Sequence, residues 1–302
     1  MSEVLVIGSL AYDSVKTPSG KAEKALGGSA NYFSVAASLF TQVRVVGVVG
    51  EDYLALDREL LVKRNVDLEG LQTVAGKTFH WEGSYEGNLN EATTLKTELN
   101  VFAHFKPVLP QKFKNSSFVF LANIDPTLQL EVLSQIEKPL FVGMDSMNFW
   151  INSKQDELKK VLQKVNIVFM NETEAQMLTQ TTNVIKAIKQ VADMGPQYVV
   201  VKKGEYGSIL YSKVDGFFQS PALPVETVVD PTGAGDSFAG GFFGYISKLN
   251  ACPQWSDLKK AVLVGTVMSS RTIQDFSLKS LAQVDQSLFE KELKSLQQMM
   301  SY

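Results

Sequence analysis

Apolar and polar positions along the 302 residues fall into blocks of two kinds. The first kind is brief and almost wholly apolar: Glu3 to Gly8, Gln42 to Val49, Phe118 to Ala122, Leu140 to Met144, Ile167 to Met170 and Tyr198 to Lys202. Such runs predict strands buried on both faces. The second kind mixes apolar and polar residues and predicts helices at Tyr53 to about Arg64, Pro126 to Ile136, Lys154 to Lys164, Trp255 to Ile273 and Gln286 to Met299. Strands separated by helical stretches build right-handed βαβ units on a parallel sheet, so the expected fold class is α/β. No composition break divides residues 1–302, which are therefore expected to form a single domain.

One stretch departs from this alternation. Thr78-Phe79-His80-Trp81-Glu82-Gly83-Ser84-Tyr85 favours β structure, and with a Glu86-Gly87-Asn88 turn and Ala92 to Leu99 it predicts a hairpin. A mostly polar hairpin has little core of its own, so it should project from the body and lie over something. Its aromatics Phe79, His80, Trp81 and Tyr85 either cover a ligand or bury one another, and alternation does not decide between these. The preceding Ala75-Gly76-Lys77-Thr78 imitates a P-loop, but the glycine required five positions earlier is Leu71 and no helix follows.

Hydrophobic residues make up 45% of the chain, ample for a core. A net charge of −3 gives no basic footprint for nucleic acid, and no Lys/Arg block offers itself to a membrane surface. No run reaches the roughly 18 apolar residues of a membrane span. Met1 to Gly8 lacks the basic start and long apolar core of a signal peptide. A cytoplasmic, soluble protein acting on a small molecule is the expectation. Cys252 is the sole cysteine, which excludes an internal disulfide, and His80 and His104 are too few for a histidine metal cluster.

The chemistry concentrates in Asp230-Pro231-Thr232-Gly233-Ala234-Gly235-Asp236-Ser237-Phe238, where two carboxylates enclose a small-residue turn before a helix. Amides at a helix start lack partners within the helix and sit at its positive end, and Gly233, Ala234 and Gly235 do not obstruct an anion approaching them. Asp236 would repel a phosphate there, which makes sense if it accepts a proton from an attacking hydroxyl. Gly240, Gly241 and Gly244 then suit close packing against a neighbour. After the first strand, Asp13 offers either a turn or an acceptor for two sugar hydroxyls. Gly27-Gly28-Ser29-Ala30-Asn31 opens a helix to about Phe40, with Asn31 able to donate and accept. Asn171 and Glu174 follow a strand; they fit a helix-capping box and equally a ligand site at the sheet's C-terminal edge. Lys203-Gly204-Glu205-Tyr206-Gly207 reads as a turn.

At the Asp230 to Asp236 string the sequence resembles the ribokinase-like (PfkB) family of carbohydrate and nucleoside kinases. The other motifs follow in the family's order from Gly8 to the C-terminal helices. The resemblance implies a three-layer α/β/α fold with a mostly parallel central sheet and a small β-sheet lid, from about 10–25 and 72–103, which also serves family members as a dimer contact. It implies ATP-dependent transfer of the γ-phosphoryl group to a hydroxyl of a small sugar or a nucleoside. Asp236 would be the base and Gly233, Ala234 and Gly235 the anion hole. Asp13, Gly27, Gly28 and Asn31 would hold the acceptor. Asn171 and Glu174 would organise Mg²⁺ through its waters, with Lys203, Gly204, Gly207 and Thr232 on the nucleotide side. Asp230 would support the loop or a monovalent cation such as K⁺. Ser269 to Asp275 replaces the family's Gly- and Ala-containing loop and leaves the adenine contacts unassigned. A sugar- or nucleoside-sensing protein without turnover is the rival, against which Asp236 argues.

Overall fold

The structure, a computed structural model, describes residues 3–87 and 89–301; Met1, Ser2 and Asn88 of the readings above lie outside them. In chain order the strands begin with β1 (Glu3–Ile7), β2 (Ala11–Thr17), β3 (Gly20–Gly27), β4 (Gln42–Gly50), β5 (Val66–Val74), β6 (Phe79–Ser84) and β7 (Thr93–Glu98). They continue with β8 (Phe118–Leu121), β9 (Phe141–Asp145), β10 (Ile167–Asn171), β11 (Tyr198–Lys202), β12 (Ser208–Ser212) and β13 (Gly216–Ser220). The helices are α1 (Ser29–Ala37), α2 (Ala55–Lys63), α3 (Pro126–Leu133), α4 (Asn148–Ser153), α5 (Gln155–Leu162), α6 (Glu172–Thr179), α7 (Val184–Asp193), α8 (Ala234–Ser247), α9 (Trp255–Thr272) and α10 (Gln286–Met299).

Nine strands form the main sheet in the order β13-β12-β11-β10-β9-β8-β1-β4-β5. From β5 to β11 every pairing is parallel, and β12 and β13 close the far edge antiparallel. Successive side chains of a strand point to opposite faces, and this sheet fills both. Val4, Phe118, Phe120, Phe141, Ile167, Phe169 and Val200 pack on the side of α1, α8 and α9, while Leu5, Val119, Leu121, Val142, Val168 and Val199 pack on the side of α5 and α7. The apolar blocks of the sequence are thus strands covered twice, and the architecture is three layers, α/β/α.

A second sheet has the order β3-β2-β6-β7. Its β6–β7 pair is the expected antiparallel hairpin, while β2 and β6 run parallel, so the sheet is mixed. Residues 72–74, grouped with the lid on sequence, instead belong to β5 at the edge of the main sheet. The false P-loop is a clasp between the two sheets: Thr78 donates through its amide (2.7 Å) and hydroxyl (2.6 Å) to Asp52.

Candidate active site

Register builds the site. In β9, β10 and β11 the residues Phe141, Phe169 and Val200 face α8; counting by twos from them brings Asp145, Asn171 and Lys202 to the same face at the strands' C-terminal ends. Cross-strand pairing sets Asn171 beside Lys202 and Phe169 beside Asp145. The Lys202 ammonium donates to both Asp145 oxygens, at 3.2 and 3.3 Å. Asn171 caps α6 and the capping box is complete: its Oδ1 accepts the Glu174 amide at 2.7 Å, and Glu174 accepts the Asn171 amide at 3.0 Å and side-chain NH₂ at 2.9 Å. The capping box of the sequence reading is thus formed, and it also fixes Glu174 in the cluster.

Helix α8 brings its first turn to these strand ends. Gly240 and Gly244 lie against the α1 backbone at Phe33 and Ala37, so any side chain there would hold the helices apart. Gly233, the N-cap, has φ 76° and faces the Tyr32 ring, two reasons for glycine. Asp230 accepts the Thr232 amide (2.9 Å) and the Ser277 amide (3.5 Å), shaping the approach to the turn. The Ala234 amide is engaged by the Pro231 carbonyl at 3.2 Å. Those of Gly233 and Gly235 have no acceptor among the described residues.

Asp236 stands in that first turn. Burial, then repulsion from Asp145, pushes its carboxyl up to about 7, with Lys202 working the other way. Glu174 is raised for the same reasons in the same order. Burial disfavours the Lys202 charge, but Asp145, Glu174 and Asp236 outweigh it and hold the ammonium above the usual lysine range.

Across the cleft, Asp13 on β2 lies over Gly27 and accepts the Gly28 amide at 3.4 Å. Burial raises it to about 7; the Gly28 amide lowers it and Asp230 adds to the rise. Gly28 caps α1 with φ 89°. Asn31 is fully buried, donating to the Gly27 carbonyl (2.6 Å) and accepting from the Tyr53 hydroxyl (3.2 Å), so its side chain shapes the glycine loop from behind.

The small sheet is fastened to both sides. Thr232 donates to the Tyr85 hydroxyl at 3.3 Å and Thr17 to the Val229 carbonyl at 2.8 Å. At the hairpin tip Glu91 accepts from Thr173 at 2.9 Å, and Asn90 donates to Glu205 at 2.8 Å. The other aromatics turn to neighbours within or beside the sheet: Phe79 stacks on Phe102, His80 meets Ser14 and Glu98, and Trp81 donates to Thr94. Lys203 lies 4.0 Å from Glu172, in the turn where Gly204 (φ 56°) and Gly207 (φ 82°) take positive φ. Asp145 and Lys202 were missed on sequence, though each is the charged last residue of an apolar strand, the signal that singled out polar residues elsewhere.

The model of the pfkB family carbohydrate kinases matches residues 1–283. The chain belongs to this family. A cytidine kinase from Thermococcus kodakarensis is 30% identical over 257 residues, 82% of this chain and 90% of that protein. Among solved structures, the nucleoside kinase of Methanocaldococcus jannaschii superposes with a TM-score of 0.77 at 20% identity, covering 98% of this chain and 99% of that one. Aminoimidazole riboside kinase from Salmonella enterica, solved with aminoimidazole riboside and an ATP analogue, gives 0.78 at 19% identity and covers 96% and 99%. The fold is ribokinase-like, and the protein is an ATP-dependent carbohydrate or nucleoside kinase. No helix among the described residues of this kinase is long and apolar enough to cross a membrane.

Proposed function

We propose that the kinase moves the γ-phosphoryl group of ATP to a hydroxyl of a nucleoside, with Asp236 accepting the hydroxyl proton. The observation that carries this is the position of Asp236: a carboxyl with pKa about 7 beside amides left open at the head of α8. A base poised near the working pH combines the right protonation state with useful driving force. The acceptor oxygen attacks the γ-phosphorus, its proton passes to Asp236, and the bond to the β–γ bridging oxygen breaks as ADP leaves with the electron pair. The Gly233 and Gly235 amides take up charge on the transferring group. Asp13 and the Gly27-Gly28 backbone position the acceptor.

Mg²⁺ fits the acidic cluster. Among the described residues no group of three or more His, Cys, Asp or Glu converges as a cage, and Glu174 already holds Asn171. Magnesium keeps several waters and needs few direct protein ligands, so Glu174 would hold it through water. When bound it neutralises phosphate charge. Asp230 is given to holding the loop, since two amides already occupy its carboxylate.

The nucleoside is preferred over the free sugar, the first expectation from sequence, because the match to a cytidine kinase extends over 90% of that protein. A coupled ADP-release screen over nucleosides, pentoses, hexoses and keto-sugar acids tests it. ADP release that depends on a nucleoside is expected; release with free sugars alone overturns the choice of acceptor. Thermal stabilisation by a nucleoside without ADP release would point to the sensing rival.

A further inference from the structure

We propose that Lys202 is a further catalytic residue, its ammonium contacting the terminal phosphate of the nucleotide above Gly235, with Asp145 as the positioning residue that holds it there. This rests on the kinase reading above. Lys202 ends β11, and the strand's alternation aims it at the head of α8. Its Nζ lies so close to Gly235 that a Cβ added there would sit 2.7 Å away. Glycine at 235 therefore does two things: it bares an amide and it leaves room for the ammonium.

An ammonium beside a helix N-terminus opposes the partial positive charge of the open amides. Burial adds to the penalty, for the Lys202 side chain is 18% exposed. The two Asp145 contacts hold the charge in place from one side. An anion lodged between the Gly235 amide and Nζ would satisfy both from the other side, and a terminal phosphate is the anion that the transfer brings there. The surrounding Asp145, Glu174 and Asp236 keep the lysine protonated, so it takes no part in proton transfer and contributes fixed charge. Lys203, the candidate on sequence, lies 4.0 Å from Glu172. In a chain without a P-loop lysine, Lys202 fills that place from a different strand.

Wild type, Lys202→Met and Lys202→Arg are compared in Mg²⁺ buffer by calorimetric titration with ADP and with the β,γ-imido analogue of ATP, and by steady-state kinetics. Lys202→Met should lower kcat about 100-fold or more, the usual scale for losing one preorganised contact to developing charge. It should weaken the imido analogue about tenfold relative to ADP, and Lys202→Arg should recover part of that ratio. Equal weakening of both nucleotides would show a merely structural role and overturn the proposal, as would an unchanged kcat. Asp145→Asn, which keeps the shape while loosening the ammonium, should lower kcat and leave ADP affinity in place; it carries the test if Lys202→Met does not fold, and an unchanged kcat there overturns the positioning role. Should wild type turn over no acceptor, the kinase reading fails, whereas the analogue-to-ADP ratio still decides the Lys202 contact.

Discussion

At the end of the site proposed to hold the acceptor, polar groups are spent on one another: Asp13 receives the Gly28 amide, and Asn31 holds the Gly27 carbonyl and Tyr53. At the phosphate end, Asp145, Glu174 and Asp236 crowd around the ammonium of Lys202, and amides stand open at Gly233 and Gly235. Asp13 and Asp236 both reach a pKa of about 7, but the amide relieves the first and the lysine the second. The acceptor end is shaped before any ligand arrives. The phosphate end sets three carboxyl groups around one ammonium. Under the proposed function, one half of the site would recognise the acceptor and the other would carry out the transfer.

The largest effect that would sharpen this contrast is loss of the base. Asp236→Asn should lower kcat by about 10³-fold or more while leaving nucleotide-induced thermal stabilisation largely intact, measured by steady-state kinetics and thermal unfolding. At the opposite end, Asp13→Ala should raise the acceptor KM by about 10- to 100-fold, the scale of a charged hydrogen bond, with little change in ATP affinity. A mainly altered ATP affinity would break the division into two ends.

Protonation gives an intermediate effect with opposite signs for activity and stability. As the proposed base Asp236 would act when ionised, so kcat/KM should rise with pH and level off above an apparent pKa near 7. For stability, Asp13, Glu174 and Asp236 all have folded-state pKa values above their ordinary ones, so the folded protein binds the extra protons. Their contribution is full below about pH 4 and is lost as pH rises through about 7 for Asp13 and Asp236 and about 8 for Glu174. The ligand-free Tm should therefore fall between pH 5.5 and 8, and Asp236→Asn should flatten that slope. The smallest effect belongs to the tie between the small sheet and the turn before α8: Tyr85→Phe removes one partly buried hydrogen bond and should cost about 1 kcal/mol or less in stability, with kcat nearly unchanged.

Much of this was legible in the chain. Buried strands announced themselves as apolar runs, and the small residues from Gly233 to Gly244 foretold both the open turn and the close packing of α8 against a neighbour, which the structure shows to be α1 for Gly240 and Gly244 and α9 for Gly241. Other features were hidden for physical reasons. β5 contains Asp67, Glu69 and Gln72, as an edge strand in contact with water can, so it lacks the apolar run that marks its neighbours. The Lys202–Asp145 pair joins residues far apart in sequence, and only the parallel register of β9, β10 and β11 shows that they meet. The burial of Asn31 and its two internal partners are encoded by no local pattern.

The most direct test of the account is a crystal structure with Mg²⁺, the β,γ-imido analogue of ATP and the nucleoside that supports ADP release. The account predicts the terminal phosphate on the Gly233 and Gly235 amides and the acceptor hydroxyl within about 3 Å of the Asp236 carboxylate. A terminal phosphate bound away from the head of α8, with Asp236 out of reach of the acceptor, would contradict it.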